Sequence, residues 1–331
     1  MSDPSPDARK LSHIMQTIPI VMSLNQAYVV PAIATIRSVL NSISDRNRIE
    51  FVIFHKELSP AAIRIMTTLV NDSGGRITFI NVQEHFAGHN LKKEEMYHAL
   101  LIPGLMAGHD FVFFLDADMI VTGDLLSLIH AMPADKKIGA VRCFFRNTIL
   151  PPNVPRPLHD QTLRTGLKDT SRYFNAGLML FNMKAIRPED GRRCLQLISR
   201  RWKGHAESIL NVVFHDSVQF FSVRWNYAMT HIAKDVVPFQ PEIRKDVEES
   251  RLDIQVQHFL FLSKPWLPKA EHALFLKEGD CPEFRYHVQN YKNALAAVMK
   301  DISHVAPRLL CGASWEMTER HLDPEEKALL A

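Results

Sequence analysis

Residues 113–121 read FFLDADMIV, an apolar run that ends in two carboxylates, Asp116 and Asp118, one residue apart. Side chains at this spacing point the same way in an extended segment, so the two negative charges repel each other. A divalent cation between them relieves that repulsion and keeps coordination positions open for phosphate oxygens. The alternative is a helix-capping aspartate beside a solvated one. The fully apolar run favours the metal site, because burying an unpaired carboxylate is costly.

The chain around this motif alternates between short apolar runs and segments with helical spacing. Strands are predicted at Ile18–Leu24, at 49–55 and at 76–82, with helices between them, the second of which is capped by Ser59. This alternation predicts an α/β protein with a parallel sheet and helices on both faces. Residues 110–118 then form a buried strand, and its carboxylates lie at the edge where open α/β sheets bind ligands.

The composition excludes several classes of function. Formal net charge is only +3 over 331 residues, without a basic stripe, so we expect no nucleic-acid partner. The 4 cysteines lack CxxC spacing, which disfavours a zinc site or a disulfide framework and fits a reducing compartment. No apolar run reaches the roughly 18 residues of a spanning helix. We therefore expect a cytoplasmic protein with at most peripheral contact to the inner membrane.

A second cluster is QHFLFLSKPW, residues 257–266. His258 ends a predicted strand, and its neutral imidazole can complete a metal site that the two aspartates begin. Lys264 on the following loop can neutralise a diphosphate. The chain has 16 histidines, and a single histidine is more often structural than a ligand. His258 stands out through its neighbours.

A third cluster is YFNAGLMLFN, residues 173–182. Asn175, Ala176 and Gly177 are predicted to form a turn just before a strand at 177–182. Such a turn offers an amide side chain and backbone N–H groups to sugar hydroxyls. The alternative is a tight turn that only leads into a core strand.

These clusters, in this order, resemble glycosyltransferase family 8, the group of glycogenin and of the bacterial lipopolysaccharide galactosyl- and glucosyltransferases. The segment SLNQAYVV at 23–30 looks like the family's nucleotide-binding strand end. The resemblance implies a GT-A fold, a Rossmann-like and mainly parallel sheet flanked by helices, over residues 17–270. A flexible N-terminus at 1–16 and a helical extension at 271–331 complete the predicted organisation.

The resemblance also implies the reaction. The protein is expected to be a retaining glycosyltransferase that moves a hexose from a UDP-sugar to a glycan, a lipid-linked saccharide or a protein. Polysaccharide biosynthesis is the family's commonest setting. The metal ligands would be Asp116, Asp118 and His258, and their mixed carboxylate and imidazole donors favour Mn2+ over Mg2+.

Further donor-site residues follow from the same resemblance. Asn175 would orient the donor sugar, and Lys264 would add positive charge at the departing UDP. The remaining nucleotide and sugar contacts would come from Asn25, Tyr28, Ala117, Ala176 and Gly177.

The sequence departs from the family where the sugar binds. The family's Asp-Gln-Asp appears as Ala206, Glu207 and Ser208, so a sugar-binding aspartate is absent and the glutamine beneath the anomeric carbon is a carboxylate. Phe261 also replaces a glycine near the diphosphate. One hypothesis is that Glu207 is catalytic, either stabilising a cationic transition state or forming a covalent intermediate. The other is a changed donor pocket, with a different sugar or no turnover.

Two alternatives belong to other classes. A degenerate family member would bind nucleotide or glycan without turnover. A phosphatase of the haloacid dehalogenase type also begins with a strand that ends in two aspartates, but it needs Thr or Val where this chain has Ile120. The sequence gives no indication of the oligomeric state.

Overall fold

A computed structural model of the protein describes residues 17–89, 91, 93–143, 148–149, 167, 171–198, 206–228, 237–238, 241–260, 264 and 289–296. The strands of its main sheet are β1 (Ile18–Leu24), β2 (Ile49–His55), β3 (Ile77–Asn81), β4 (Phe111–Leu115), β6 (Ile138–Arg142), β8 (Phe174–Asn182) and β9 (Val218–Phe221). The smaller sheets use β5 (Met119–Val121), β10 (Tyr227–Ala228) and β12 (Val256–His258), and β7 (Thr148–Ile149) with β11 (Val237–Pro238).

The main sheet is mostly parallel, which confirms the predicted fold class. Its order is β3-β2-β1-β4-β8-β6-β9, and β3, β2, β1 and β4 are parallel to one another. Only β8 runs antiparallel to the strands on both its sides, and β9 is parallel to β6. The carboxyl ends of β1 and β4 therefore meet at one edge of the sheet.

Helices cover both faces of this sheet. They are α1 (Val29–Ser42), α2 (Pro60–Asp72), α3 (Ile102–Leu105), α4 (Ser127–His130), α5 (Pro188–Gln196), α6 (Ala206–Phe214), α7 (Pro241–Ser250) and α8 (289–296). Side chains alternate between two cores along each strand. Met22 packs with the side chains of α1 and α2, whereas its neighbour Val21 packs with those of α3, α5 and α6. The predicted cap is present, since Ser59 Oγ accepts a hydrogen bond from Ala62 N at 3.2 Å.

Apolar residues at helical spacing predict helices at 94–107 and at 184–201, and both are shorter in the structure. Residues 94–107 begin as a 3-10 helix, Glu94–Leu101, followed by the single turn of α3. Ile102 N–H bonds to the Ala99 carbonyl in the tighter 3-10 manner, and Pro103 has no N–H with which to continue an α-helical ladder. The helix predicted at 184–201 begins only at Pro188, which has the first helical position.

The Asn-Ala-Gly motif lies inside β8, so the predicted turn before a strand at 177–182 was wrong. Pairing with β6 shifts at this point: Ala140 faces Met179, but Val141 faces Asn175, and the intervening residues of β8 form a bulge. The buried Asn211 side chain holds the start of the bulged strand. Its Oδ1 accepts from Phe174 N at 2.8 Å and its Nδ2 donates to Phe174 O at 2.9 Å, as a neighbouring strand would.

Several predicted features lie outside the described residues, namely the N-terminus 1–16, Phe261 and all of the extension 271–331 except α8. The domain boundaries therefore stay a prediction. In α8, Tyr291 packs edge-on against Phe259, with ring centroids 6.1 Å apart. Across the described ranges, no helix has the length and apolar character needed to cross a membrane.

His98 belongs to the 3-10 helix Glu94–Leu101, and its side chain is fully buried. Its ring stacks on Phe86 at 5.5 Å between centroids. Ser23 Oγ donates to the Glu95 carbonyl at 2.6 Å, so the same oxygen accepts from His98 Nδ1 at 2.9 Å. Burial lowers the pKa of His98 from 6.5 to about 4. The folded protein therefore resists protonation of this ring.

We expect His98 to make the folded state sensitive to mild acid. Because the folded pKa is the lower one, the unfolded chain takes up the proton first; the contribution is complete above pH 6.5 and is lost as the pH falls to about 4. The loss amounts to about 3 kcal/mol. Urea unfolding between pH 7 and pH 4 should show a flatter profile for His98→Phe. The same flattening in exposed His85→Asn would contradict this assignment.

Candidate active site at the carboxyl ends of the strands

The two aspartates and His258 converge at the carboxyl end of β4. Asp116 and Asp118 lie in a bend that joins β4 to β5, not in an extended segment as their spacing indicated. His258 Nε2 lies 3.2 Å from Asp118 Oδ1 and 3.6 Å from Asp116 Oδ2. One ligand atom from each residue lies within 4.8 Å of the others. The predicted grouping of these residues, distant in sequence, is present.

Helix α1 holds the bend from below. Thr35 is fully buried, and its Oγ1 lies 2.8 Å from the carbonyl oxygens of both Ala117 and Met119. One turn later, Ser38 Oγ accepts from Val121 N at 2.9 Å. These hydroxyls satisfy backbone groups that leave the main sheet, so the side of the bend that faces α1 is fixed.

Strand pairing brings His258 to the aspartates. The antiparallel pairing of β12 with β5 places His258 opposite Met119, and Phe259 N donates to the Asp118 carbonyl at 3.0 Å. The neighbouring β10 is parallel to β12, with Ala228 opposite His258. The histidine is therefore positioned by two strands and is 1% exposed.

Lys264 approaches the same site from the opposite side of Asp118. Its Nζ lies 2.5 Å from Asp118 Oδ2 and 5.4 Å from the centre of the Tyr28 ring. The Asp118 side chain is only 9% exposed, whereas that of Asp116 is 41% exposed. One carboxylate is thus enclosed by a cation and an imidazole, and the other faces the opening.

The two carboxylates differ in electrostatics as well. Burial, followed by repulsion from Asp118, raises the pKa of Asp116 above its usual range. Burial acts in the same direction on Asp118, but the Lys264 ammonium and the His258 ring outweigh it and hold the pKa of Asp118 below its usual range. The negative charge that Asp116 adds here is therefore unfavourable without a further cation.

Glu207 and Asn175 lie side by side at the β8 bulge. Glu207 Oε2 accepts from Asn175 Nδ2 and from Ala176 N, both at 3.1 Å. Asn175 Oδ1 in turn accepts from Gly177 N at 2.9 Å. Gly177 then contacts the aspartates directly, since its carbonyl accepts from Asp116 N at 2.8 Å. The predicted catalytic and metal-binding residues therefore form one connected group.

Gly177 is required by close packing against two of the proposed ligands, His258 and Asp116. A Cβ at this position would lie 2.4 Å from His258 Cε1 and 2.9 Å from Asp116 Oδ2, closer than atoms approach in folded proteins. The backbone of β8 thus forms one wall of the site, and only glycine allows that wall to lie so near the imidazole.

The predicted nucleotide contacts lie at the end of β1. Asn25 caps the short helix Gln26–Tyr28, with its Oδ1 accepting from Tyr28 N at 3.2 Å, and its Nδ2 donates to Glu95 Oε1 at 2.7 Å. Through the contact between Tyr28 and Lys264, this segment borders the acidic cluster. The structure thus places both residues at the same edge of the sheet as the aspartates.

Four residues that support the site were not predicted from the sequence: Thr35, Ser38, Asn211 and Asn226. All are buried polar side chains. A signal existed for the first two, because Thr and Ser interrupt the apolar face of an otherwise buried helix. Asn211 and Asn226 have no such signal, since a helical and a loop asparagine are common on protein surfaces.

The chain belongs to glycosyltransferase family 8, whose model matches residues 19–270. It is therefore a glycosyltransferase, and its aspartate pair belongs to that class of enzyme and not to a phosphatase. A curated relative, general stress protein A of Bacillus subtilis (strain 168), is 20% identical over 247 residues, which are 71% of this chain and 82% of that protein.

Solved structures agree in fold. The galactosyltransferase LgtC, determined with donor and acceptor sugar analogs, is 22% identical with a TM-score of 0.68, and the match covers 89% of this chain and 100% of LgtC. The bifunctional glycosyltransferase WbbM has the same TM-score at 19% identity, over 87% of this chain. The chain spans only about half of WbbM, 52% of its length. These similarities confirm the GT-A fold.

The residues present fit a divalent cation. Two carboxylates and an imidazole are the donors that transition metals of the Mn2+ type accept, and the glycine wall encloses them on one side. We expect Gly177→Ala to weaken Mn2+ binding by roughly 100-fold, because the new methyl group displaces the imidazole. Electron paramagnetic resonance of free Mn2+ measures this.

The matched control for this variant is Gly104→Ala. A Cβ at Gly104 would meet nothing within 4 Å, so the methyl group is accommodated without movement. Unchanged Mn2+ affinity in Gly177→Ala, or an equal loss in Gly104→Ala, would contradict the proposed position of the cation.

Proposed function

We propose that this glycosyltransferase transfers a hexose from a UDP-sugar with retention of configuration, and that it depends on a divalent metal ion, Mn2+ or Mg2+. The observation that carries the proposal is the convergence of Asp116, Asp118 and His258 beside Glu207 in a chain of family 8. The likeness in fold to LgtC, a galactosyltransferase that binds donor and acceptor sugar analogs, supports a sugar substrate.

The two aspartates would hold the cation in different ways. Lys264 and His258 fix the enclosed Asp118, whereas the more exposed Asp116 faces the opening from which a diphosphate enters. When bound, the ion neutralises charge on the departing diphosphate. Lys264 adds a second positive charge at that place.

The donor sugar would lie over Asn175 and Glu207. In the transfer, the bond between the anomeric carbon and the diphosphate oxygen breaks and its electron pair leaves with UDP. The acceptor hydroxyl forms the new bond and gives its proton to the departing diphosphate. Glu207 carries a carboxylate at the family's position beneath the anomeric carbon. Its negative charge stabilises the positive charge that develops there. In the covalent alternative, a carboxylate oxygen of Glu207 bonds to that carbon as UDP leaves, and the acceptor hydroxyl then displaces the carboxylate.

The remaining assignments extend this proposal. Asn25 and Tyr28 bind the uridine, and backbone groups of Ala117, Ala176 and Gly177 complete the donor site. The acceptor is a glycan, a lipid-linked saccharide or a protein, handled in the cytoplasm with at most peripheral membrane contact. The described residues give no further chemical signature for the acceptor.

A panel of UDP-sugars tests the proposed reaction. With Mn2+, we expect slow hydrolysis of at least one UDP-hexose, abolished by chelation and restored by added metal. Hydrolysis of UDP-glucose at ordinary rates would remove the hypothesis of a changed donor pocket. Calorimetric binding of UDP without turnover of any donor would instead identify a degenerate family member.

Replacement of Glu207 separates its proposed roles from a structural one. We expect Glu207→Gln to lower the transfer rate by about 100-fold or more, because an amide supplies no charge at the anomeric carbon. The amide oxygen still accepts the hydrogen bonds of Asn175 and Ala176, so stability should change little. Exposed Glu248→Gln is the control. Full transfer with no trapped adduct in mass spectrometry would exclude a catalytic Glu207.

A further inference from the structure

A chain of side-chain hydrogen bonds links Glu207 to His258. It runs from Glu207 Oε2 to Asn175 Nδ2 at 3.1 Å, then from Asn175 Oδ1 to Asn226 Nδ2 at 2.7 Å, and finally from Asn226 Oδ1 to His258 Nδ1 at 2.8 Å. Asn226 is 3% exposed and is the one member without an assigned role.

The two partners of Asn175, Gly177 and Glu207, fix the orientation of its side-chain amide and, through it, that of Asn226. Asn175 Oδ1 meets Gly177 N–H, which can only donate, and Asn175 Nδ2 meets the Glu207 carboxylate, which accepts. Only one orientation of Asn175 satisfies both partners. The Asn226 atom facing Asn175 Oδ1 must then be its NH2 group, so its oxygen faces the imidazole.

The orientation of Asn226 determines where His258 carries its proton. An oxygen acceptor 2.8 Å from Nδ1 requires a proton on Nδ1. In the neutral ring, Nε2 then presents its lone pair towards Asp116 and Asp118. That lone pair is unfavourable beside two carboxylates alone and favourable beside a cation that all three bind.

We propose that Asn226 is a positioning residue that fixes the Nδ1-protonated tautomer of His258, with Glu207 and Gly177 fixing the orientation of Asn175. This inference rests on the proposed metal-dependent function for its purpose, but the tautomer is a property of the protein alone. Asn226 lies just before β10, which is parallel to β12, so the backbone holds the amide beside the imidazole.

Nitrogen NMR of the full-length protein, labelled with 15N in its histidine rings, reads the tautomer directly. Spectra at pH 8 should give His258 a protonated Nδ1 and an unprotonated Nε2. The signal is assigned by its disappearance in His258→Gln. A neutral His258 with its proton on Nε2 would overturn the inference.

Variants of Asn226 separate positioning from simple packing. Asn226→Ala removes the acceptor, so we expect the Nε2-protonated form of His258 to appear and Mn2+ affinity to fall roughly 10- to 100-fold. Asn226→Asp loses the donor to Asn175 Oδ1 but keeps an acceptor for His258 Nδ1, so we expect it to retain the proton on Nδ1. Glu207→Gln also keeps an acceptor and should retain it. Exposed Asn71→Ala is the control.

The outcomes distinguish this inference from the proposed function. An unchanged tautomer in Asn226→Ala, or loss of the proton from His258 Nδ1 in Asn226→Asp, overturns the role of Asn226 whatever the enzyme does. Wild-type protein that shows the expected tautomer but binds no Mn2+ overturns the metal-dependent function and leaves the positioning role of Asn226 in place.

Discussion

Repulsion between two carboxylates at the end of one buried strand is the constraint on which the rest of the site depends. Asp116 and Asp118 are brought together by the bend after β4. Burial and then repulsion from Asp118 raise the pKa of Asp116, whereas Lys264 and His258 outweigh burial and hold the pKa of Asp118 below its usual range. The neighbouring elements either lie close to this negative charge with polar or positive groups or fix the backbone that carries it. Strand β12 positions the His258 imidazole, Lys264 places its ammonium group beside Asp118, and Thr35 of α1 holds the backbone of the bend. Without a further cation, two carboxylates held this close together are energetically unfavourable. With a divalent metal ion between them, the same arrangement would be a rigid binding site.

The repeating features of the sequence predicted the fold because they reflect burial alone. Apolar runs alternating with helical spacing define β1 to β4, and the carboxylates that follow Leu115 mark the ligand-binding edge. The pairing of His258 with Met119 was not visible in the sequence, yet His258 was predicted as a metal ligand, first from its neighbours and then from the family resemblance. The local pattern of apolar residues thus predicted the sheet, and the family resemblance supported the prediction that His258 lies near the two aspartates.

The sequence could not show features that arise from three-dimensional pairing. The bulge in β8 depends on the register against β6, and a side chain from α6, Asn211, holds the start of that strand. Asn226 matters only because its two neighbours in space, Asn175 and His258, come from separate strands. No rule of sequence spacing connects these residues, so their hydrogen-bond network becomes visible only in the three-dimensional structure.

The environment of Glu207 bears on which of its two proposed roles is the stronger. Both N–H groups that it meets, from Asn175 and Ala176, donate to the same oxygen, Oε2. Donors of this kind stabilise a negative charge and fix its direction, which suits electrostatic stabilisation of a positively charged transition state. A carboxylate that acts as a nucleophile loses its negative charge when it bonds to the anomeric carbon, and its hydrogen bonds to Asn175 and Ala176 then weaken. The geometry therefore favours Glu207 as an oriented charge that also anchors Asn175, and through it the imidazole of His258.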